Sequence, residues 1–220
     1  SDGLPVVPPT PVRVLRMLKG TNRNPQEVIG LMPPDLVPCT VEKVAINAVM
    51  AGCKPEYMPV LLAALEAALE DDFGLHGLIC TTMFGSPMIM VNGPITKAIG
   101  MNSGNNALGQ GNRANATIGR ALQLIIRNIG GGRPGEIDRA TLGNPGKYTF
   151  CFAEAEDSEW LPLAQERGIP AGRSAVTLFP GEGVQGIIDQ KSRDPDSLAR
   201  SMAESLRAVD NVKLAMAVDA

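Results

Sequence analysis

Histidine occurs once in these 220 residues and cysteine four times, which removes most familiar metal and redox sites at the outset. Cys39, Cys53, Cys80 and Cys151 include no C-x-x-C pair. With His76 as the lone imidazole they form no recognisable zinc or haem-attachment pattern. A reduced, cytoplasmic protein is therefore expected. Aromatic residues make up only 4%, so the core has to be built from Ala, Val, Leu, Ile and Met. Clustered positive charge is lacking too. A net charge of −3 argues against nucleic acid or an anionic membrane surface as the main partner. No apolar run reaches the roughly 18–20 residues that span a bilayer. The proline-rich first residues have neither a basic n-region nor an apolar h-region, so a signal peptide is not expected.

Turns, by contrast, are abundant. The chain has 24 glycines and 18 prolines, about a fifth of its length against a usual share of roughly 12%. With 44% apolar and 20% charged residues, it has the composition of a folded globular protein, long enough for one sizeable core or two small ones.

Residues 1–12 form a proline-rich arm, expected to lie extended over its own domain or a neighbouring subunit. Residues 12–19 fit a strand or a short helix equally well. Pro33, Pro34 and Pro38 mark a rigid connection. Residues 40–51 predict a helix, with Thr40 as N-cap, Glu42 in the first turn, Gly52 as terminator, and Val41, Val44, Ala45, Ala48 and Val49 as its apolar stripe. A second helix is predicted from Pro55 to about Glu70, apolar nearly all round and therefore buried. The two make a helical hairpin. Residues 78–82 and 88–91 read as short buried strands, 113–128 as an amphipathic helix, 148–153 and 174–179 as strands, 194–209 as a helix, and 212–218 as a last strand. This alternation predicts an α/β fold: one domain over residues 13–220, a layered sheet with flanking helices that include the N-terminal hairpin. A boundary, if one exists, is expected near 155–172. The abrupt end suggests that more chain, or a partner, follows.

The densest chemical signal lies in residues 91–120, VNGPITKAIGMNSGNNALGQGNRANATIGR. Glycine allows the backbone to approach a ligand closely, and asparagine supplies both donor and acceptor. A strand, a glycine-rich loop and a helix start near Asn112 resemble the plan of an anion site. The spacing matches neither G-x-G-x-x-G after a strand nor G-x-x-x-x-G-K-[ST], so a small carboxylate- or phosphate-bearing ligand is expected rather than a nucleotide. The cofactor and any metal stay unassigned. Asn92, Lys97, Asn102, Asn105, Asn106, Arg113 and Asn115 are the candidate substrate-binding residues. Arg113 would sit unfavourably against the helix dipole unless an anion faces it. The bland alternative is an irregular loop whose asparagines bond to backbone.

Elsewhere, Lys43 and Asn47 share one face of the first predicted helix and are placed beside the loop. Cys39, before that helix, is a candidate nucleophile because the dipole can lower a thiol pKa. Cys53, in the hairpin turn, is a candidate by exposure, and Cys80 and Cys151 read as packed, inert thiols. His76 is either a general base or a structural residue. Glu154 and Glu156 follow a predicted strand on one side, as an acid/base pair, a Mg²⁺ site or a solvated acidic turn. Lys147 is their expected counter-charge and a further binding candidate.

Four segments are similar to those of bacterial proteins related to the UGSC family, named after a selenocysteine/cysteine redox motif: CTVEKVAINAVMAGCKPEYMPVLLAALEA (39–67), NGPI (92–95), GNRANATIGRA (111–121) and PGKYTFCFAE (145–154). The resemblance spans most of residues 13–220. It implies an enzyme within a multi-part assembly, and no U-G-S-C or C-G-S-C sequence occurs in this chain, so the redox motif would reside on another domain or subunit. No catalytic residue transfers from it.

Three functions compete at this point. One is an enzyme of lyase or hydratase type acting on a small anionic metabolite, with Lys43, Glu154 or His76 in acid–base roles. The second is a thiol-dependent reductase component using Cys39 or Cys53. The third is a non-catalytic subunit in a hetero-complex. An oligomer, or a complex with a second polypeptide or additional domain, is expected.

Overall fold

A computed structural model describes residues 2–209; the strand expected at 212–218 lies outside them. The residues group into two compact units that divide between Gly183 and Val184, and the 155–172 segment lies within the first. That first unit carries the α/β architecture: helices α1 (Pro11–Leu18), α2 (Val41–Ala51), α3 (Met58–Leu69), α4 (Leu75–Ile79), α5 (Pro94–Ala98), α6 (Arg113–Asn128) and α7 (Leu163–Glu166), with strands β1 (Val28–Met32), β2 (Val37–Thr40), β3 (Ser86–Asn92), β4 (Cys151–Ala153) and β5 (Ala175–Gly181).

The strands form two small sheets. β1 and β2 are an antiparallel pair, and β3 lies between β4 and β5 in the other sheet. β3 runs parallel to β4, with Val91 opposite Ala153, and antiparallel to β5, with Asn92 opposite Ala175. Parallel neighbours require a long crossover, and here it includes α5, the Gly/Asn-rich loop and α6. The return of α6 over the sheet needs a close approach at Gly119. A methyl group there would press on Thr149 Oγ1 and come within 2.8 Å of the Phe150 backbone nitrogen.

Local sequence accounts for the main helices. Thr40 accepts a hydrogen bond from the Lys43 amide, and Gly52 closes α2 in the left-handed conformation at φ +91°. The α2 stripe of Val41, Val44, Ala45, Ala48 and Val49 is buried as the spacing requires. Asn112 caps α6 by accepting from the Asn115 amide at 3.0 Å. The core is aliphatic, with Leu61, Leu65, Ile89, Ile118, Leu122 and Ile125 all fully buried.

Residues 12–19, open between a strand and a short helix in the sequence, lie mostly in the helix α1, where Val14 and Met17 are buried three apart. Three local expectations are corrected. Residues 28–40 are more than a rigid connection: they hold the β1–β2 pair, with Pro33–Pro34 in cis between the strands. No strand occupies 78–82, because Leu75 and Ile79, four apart, turn one buried face inward as the short helix α4. The strand expected at 148–153 begins only at Cys151, since residues 145–147 form a 3₁₀ turn.

The proline-rich arm lies along the first unit itself. Val7 donates its amide to the Met50 carbonyl at 3.2 Å. Arg120 donates through Nε to Asp2 Oδ2 at 2.8 Å and through Nη2 to Asp2 Oδ1 and the Pro5 carbonyl, each at 2.9 Å. The fork geometry is the strong form of a charge-assisted bond, and it holds the Asp2 carboxyl below the usual carboxylate range. A lowered carboxyl pKa means that this contact is complete above the ordinary value of about 4 and is lost as pH falls through the lowered one. The protection of the Val7 amide against hydrogen exchange, relative to an unstructured amide at the same pH, is therefore expected to fall as pH drops below about 4. In Asp2→Asn that protection should be low at every pH, and no acid-dependent change would mean that the arm is held by other contacts.

Candidate functional site

The sheet topology brings three chain segments to one edge. The carboxyl ends of the parallel strands β3 and β4 lie side by side, and β5, running the other way, begins beside them. Asn92, Glu154 and Arg173 are thereby neighbours in space through register alone. In open α/β sheets the crevice beyond such strand ends is the usual ligand position.

At this edge the amide of Asn92, 1% exposed, holds two carboxylates. Its Nδ2 donates to Glu154 Oε2 at 2.5 Å and to Glu156 Oε1 at 2.7 Å, so the two acids are held next to each other. Backbone donors complete them: Gly93 N to Glu156 Oε1 at 2.7 Å and Leu163 N to Glu154 Oε2 at 3.0 Å. The orientation has a cost. Asn92 Oδ1 is buried without a hydrogen-bond partner, a penalty of about 1–3 kcal/mol. Reversing the amide would set its oxygen against two carboxylates, which is worse. A chain selected for stability alone has little reason to keep this arrangement, whereas a site needing two adjacent acids does.

In front of these acids is a cleft of about 300 Å³ lined by Gly93, Thr96, Lys97, Glu156, Gln165 and Arg173, among others. Gly93 is required there: its φ is +86° and a side chain would meet the Arg173 carbonyl. Lys97 and Arg173 are exposed, and neither has an ion pair among the described residues. Glu154 and Asn92 stand behind the wall that Glu156 forms.

The remaining candidates are dispersed. Asn102, Asn105, Asn106 and Asn115 brace the loop itself. The Asn115 side chain accepts from Asn102 N and donates to Asn102 O and Ala107 O, at 2.9–3.1 Å. Asn102 Nδ2 donates to Asn105 O, and Asn106 Nδ2 to Gln110 O. Asparagine density here is thus explained by a loop that hydrogen-bonds to its own backbone. Arg113 finds no anion; its Nε donates to the Gly52 carbonyl at 2.9 Å, so the negative end of the α2 dipole offsets the unfavourable end of α6. Lys43 donates to the Pro38 carbonyl at 2.6 Å. Asn47, buried, accepts from Asn128 at the far end of α6 from the loop, so the placement of Lys43 and Asn47 beside the Gly/Asn loop is corrected. His76 lies exposed on α4 rather than ahead of a strand. Lys147 does not face the glutamates: it pairs with Asp138 at 2.7 Å.

Three of the four cysteine expectations are corrected. Cys39 and Cys53 are buried, and burial pushes their thiols up to about 11 and about 12 respectively. For Cys39 desolvation outweighs the nearby Lys43. The Cys53 thiol also donates to the Thr117 carbonyl at 3.3 Å. Cys151 is buried in β4 as expected, but Cys80 is exposed beyond the end of α4. Arg173 was not identified from sequence, since nothing before the topology links it to Lys97. Comparisons with family models, with curated proteins and with solved structures gave no match, so the site is interpreted from its own chemistry.

Thiol titration separates these roles. In the native protein at neutral pH a disulfide reagent should modify Cys80 alone, and Cys80→Ser should abolish that reaction. Rapid modification of Cys39 or Cys53 would contradict their burial.

Proposed function

We propose that this chain is an enzyme, or the substrate-binding part of one, acting on a small anionic metabolite by acid–base chemistry at the carboxyl ends of β3 and β4. The observation that carries the proposal is the cleft wall, where Lys97, Arg173 and Glu156 stand together with no ion pair to any of them among the described residues. The two cations bind a carboxylate or phosphate, and Glu156, backed by Glu154, moves a proton on the carbon or oxygen next to it. A volume of about 300 Å³ is at the small end of ligand sites, which suits a metabolite of a few carbons. Lyase or hydratase chemistry matches this set of groups. The two glutamates are oxygen donors of the kind a Mg²⁺ ion prefers, but Asn92 turns its Nδ2 toward them, and no cluster of three or more His, Cys, Asp or Glu that could hold a metal forms among the described residues.

A reductase role has less support, because burial keeps Cys39 and Cys53 protonated near neutral pH. Titration with malonate and with inorganic phosphate tests the main reading. Saturable binding should weaken at least tenfold in Lys97→Gln or Arg173→Gln, since one charge-assisted bond is worth about 1.5–3 kcal/mol. Glu156→Gln should leave binding in place. Absence of saturable binding, or indifference to both substitutions, overturns the site.

One feature of the second unit favours an association role as well. Helix α8 (Pro195–Val209) buries none of its residues, yet Leu198, Met202, Leu206 and Val209 recur along one face at helical spacing. Such a stripe usually meets another apolar surface, consistent with the expected oligomer or second polypeptide. Light scattering should give a mass above one chain, and Leu206→Glu should lower it. A monomer in both cases removes this reading.

A further inference from the structure

A second cavity of the first unit is separate from the cleft at the strand ends. It measures about 500 Å³ and has no residue in common with that cleft. It lies between the amino end of β3, the last turns of α6 and the loop of residues 132–148. Leu78, Ile79, Pro87, Ile126, Pro134 and Leu142 supply most of its apolar wall. A cavity of this size with an apolar body and a few fixed polar groups is the usual form of a small-molecule site.

Its charges can be paired off one by one. Asp2 is held by Arg120 at 2.8 Å. Lys147 and Asp138 hold each other at 2.7 Å, and the Asp138 side chain is only 9% exposed. The polar neighbours are similarly engaged: Gln123 Nε2 donates to Ser86 Oγ at 2.9 Å, and Ser86 donates to the Gly146 carbonyl at 2.7 Å. Among the described residues one charged side chain of the wall has neither an ion pair nor a side-chain hydrogen bond, and that is Arg127. It projects from the last turn of α6 and is half-buried beside Ile126.

We propose that this cavity binds a small apolar monocarboxylic acid, aromatic or branched, with its carboxylate on Arg127 and its body against Leu78, Ile79 and Ile126. A single unpaired guanidinium in an apolar wall matches one negative charge. A phosphate or dicarboxylate would leave a second charge facing hydrocarbon, which is expensive to desolvate. A neutral ligand would leave the guanidinium desolvated and unpaired, so the cavity discriminates by charge as well as shape. Arginine binds a planar carboxylate with two parallel donors, which orients the acid and points its apolar end inward. This site stands independently of the anion cleft.

The test uses 3-phenylpropionate and its neutral amide, 3-phenylpropanamide, titrated into the full chain by calorimetry. The acid is expected to bind saturably and at least tenfold tighter than the amide. Arg127→Gln should erase that difference. Ala140→Phe, which fills the cavity while keeping every charged side chain, should weaken both ligands. Lys97→Gln and Arg173→Gln should leave acid binding unchanged, which distinguishes failure here from failure at the strand-end cleft. Equal binding of acid and amide, no binding of either, or full selectivity retained in Arg127→Gln overturns the proposal. Loss of acid binding in Lys97→Gln would do so as well, by moving the acid to the other cleft.

Discussion

Strand β3 is the constraint on which the rest of the first unit depends. Among the described residues it is the one strand paired on both edges, parallel to β4 and antiparallel to β5. Register in a buried sheet is unforgiving, because a slip of one residue turns every side chain to the opposite face. The register that buries Ile89 and Val91 also sets Asn92 beside the turn after β4 and beside the start of β5. Packing and chemistry are therefore decided together: the apolar residues fix the alignment, and the polar residue at the strand's end receives its neighbours from it.

The Asn92 amide then turns topology into electrostatics. Two carboxylates at one nitrogen repel each other, and only donors from several directions keep them there. The amide supplies two such donors, and the backbone amides of Gly93 and Leu163 supply more. Those donors come from two separate places in the chain, Asn92–Gly93 and Leu163, so the pair survives only in the folded state. The unpaired Asn92 oxygen is the stability given up in return. Local costs of this kind are tolerated where the surrounding fold over-determines the position.

Much of the scaffold was legible beforehand because it is local. Thr40 with Gly52, Asn112 with the following amphipathic run, and the apolar run after Pro55 each carry their boundary signals within a few residues. The β1–β2 pair was missed because its prolines and glycine suggest a connection, while its pairing is a contact between segments. Residues 78–82 misled in the opposite direction, since a short apolar run satisfies a helix turn or a strand equally well. At the site, Asn92, Lys97 and the Glu154–Glu156 pair were identified from sequence, but their gathering at one sheet edge was not. Arg173 carries no motif, and its partnership with Lys97 exists only through the antiparallel run of β5. The loop asparagines were the most conspicuous candidates, yet their hydrogen bonds end on their own backbone. Cys39 shows the same limit from another side: a helix start can activate a thiol, but depth decides whether it does, and depth is a tertiary quantity.

Asp2 belongs at once to the arm and to the wall of the 500 Å³ cavity. A ligand that makes favourable contact with Asp2 in its seated position would favour the docked arm, and by reciprocity a docked arm would favour that ligand. The amino-terminal segment would then act as a gasket, its seating and the occupancy of the chamber behind it sharing one free energy. Acid, which loosens the Asp2–Arg120 clasp, draws on that same free energy from the opposite direction.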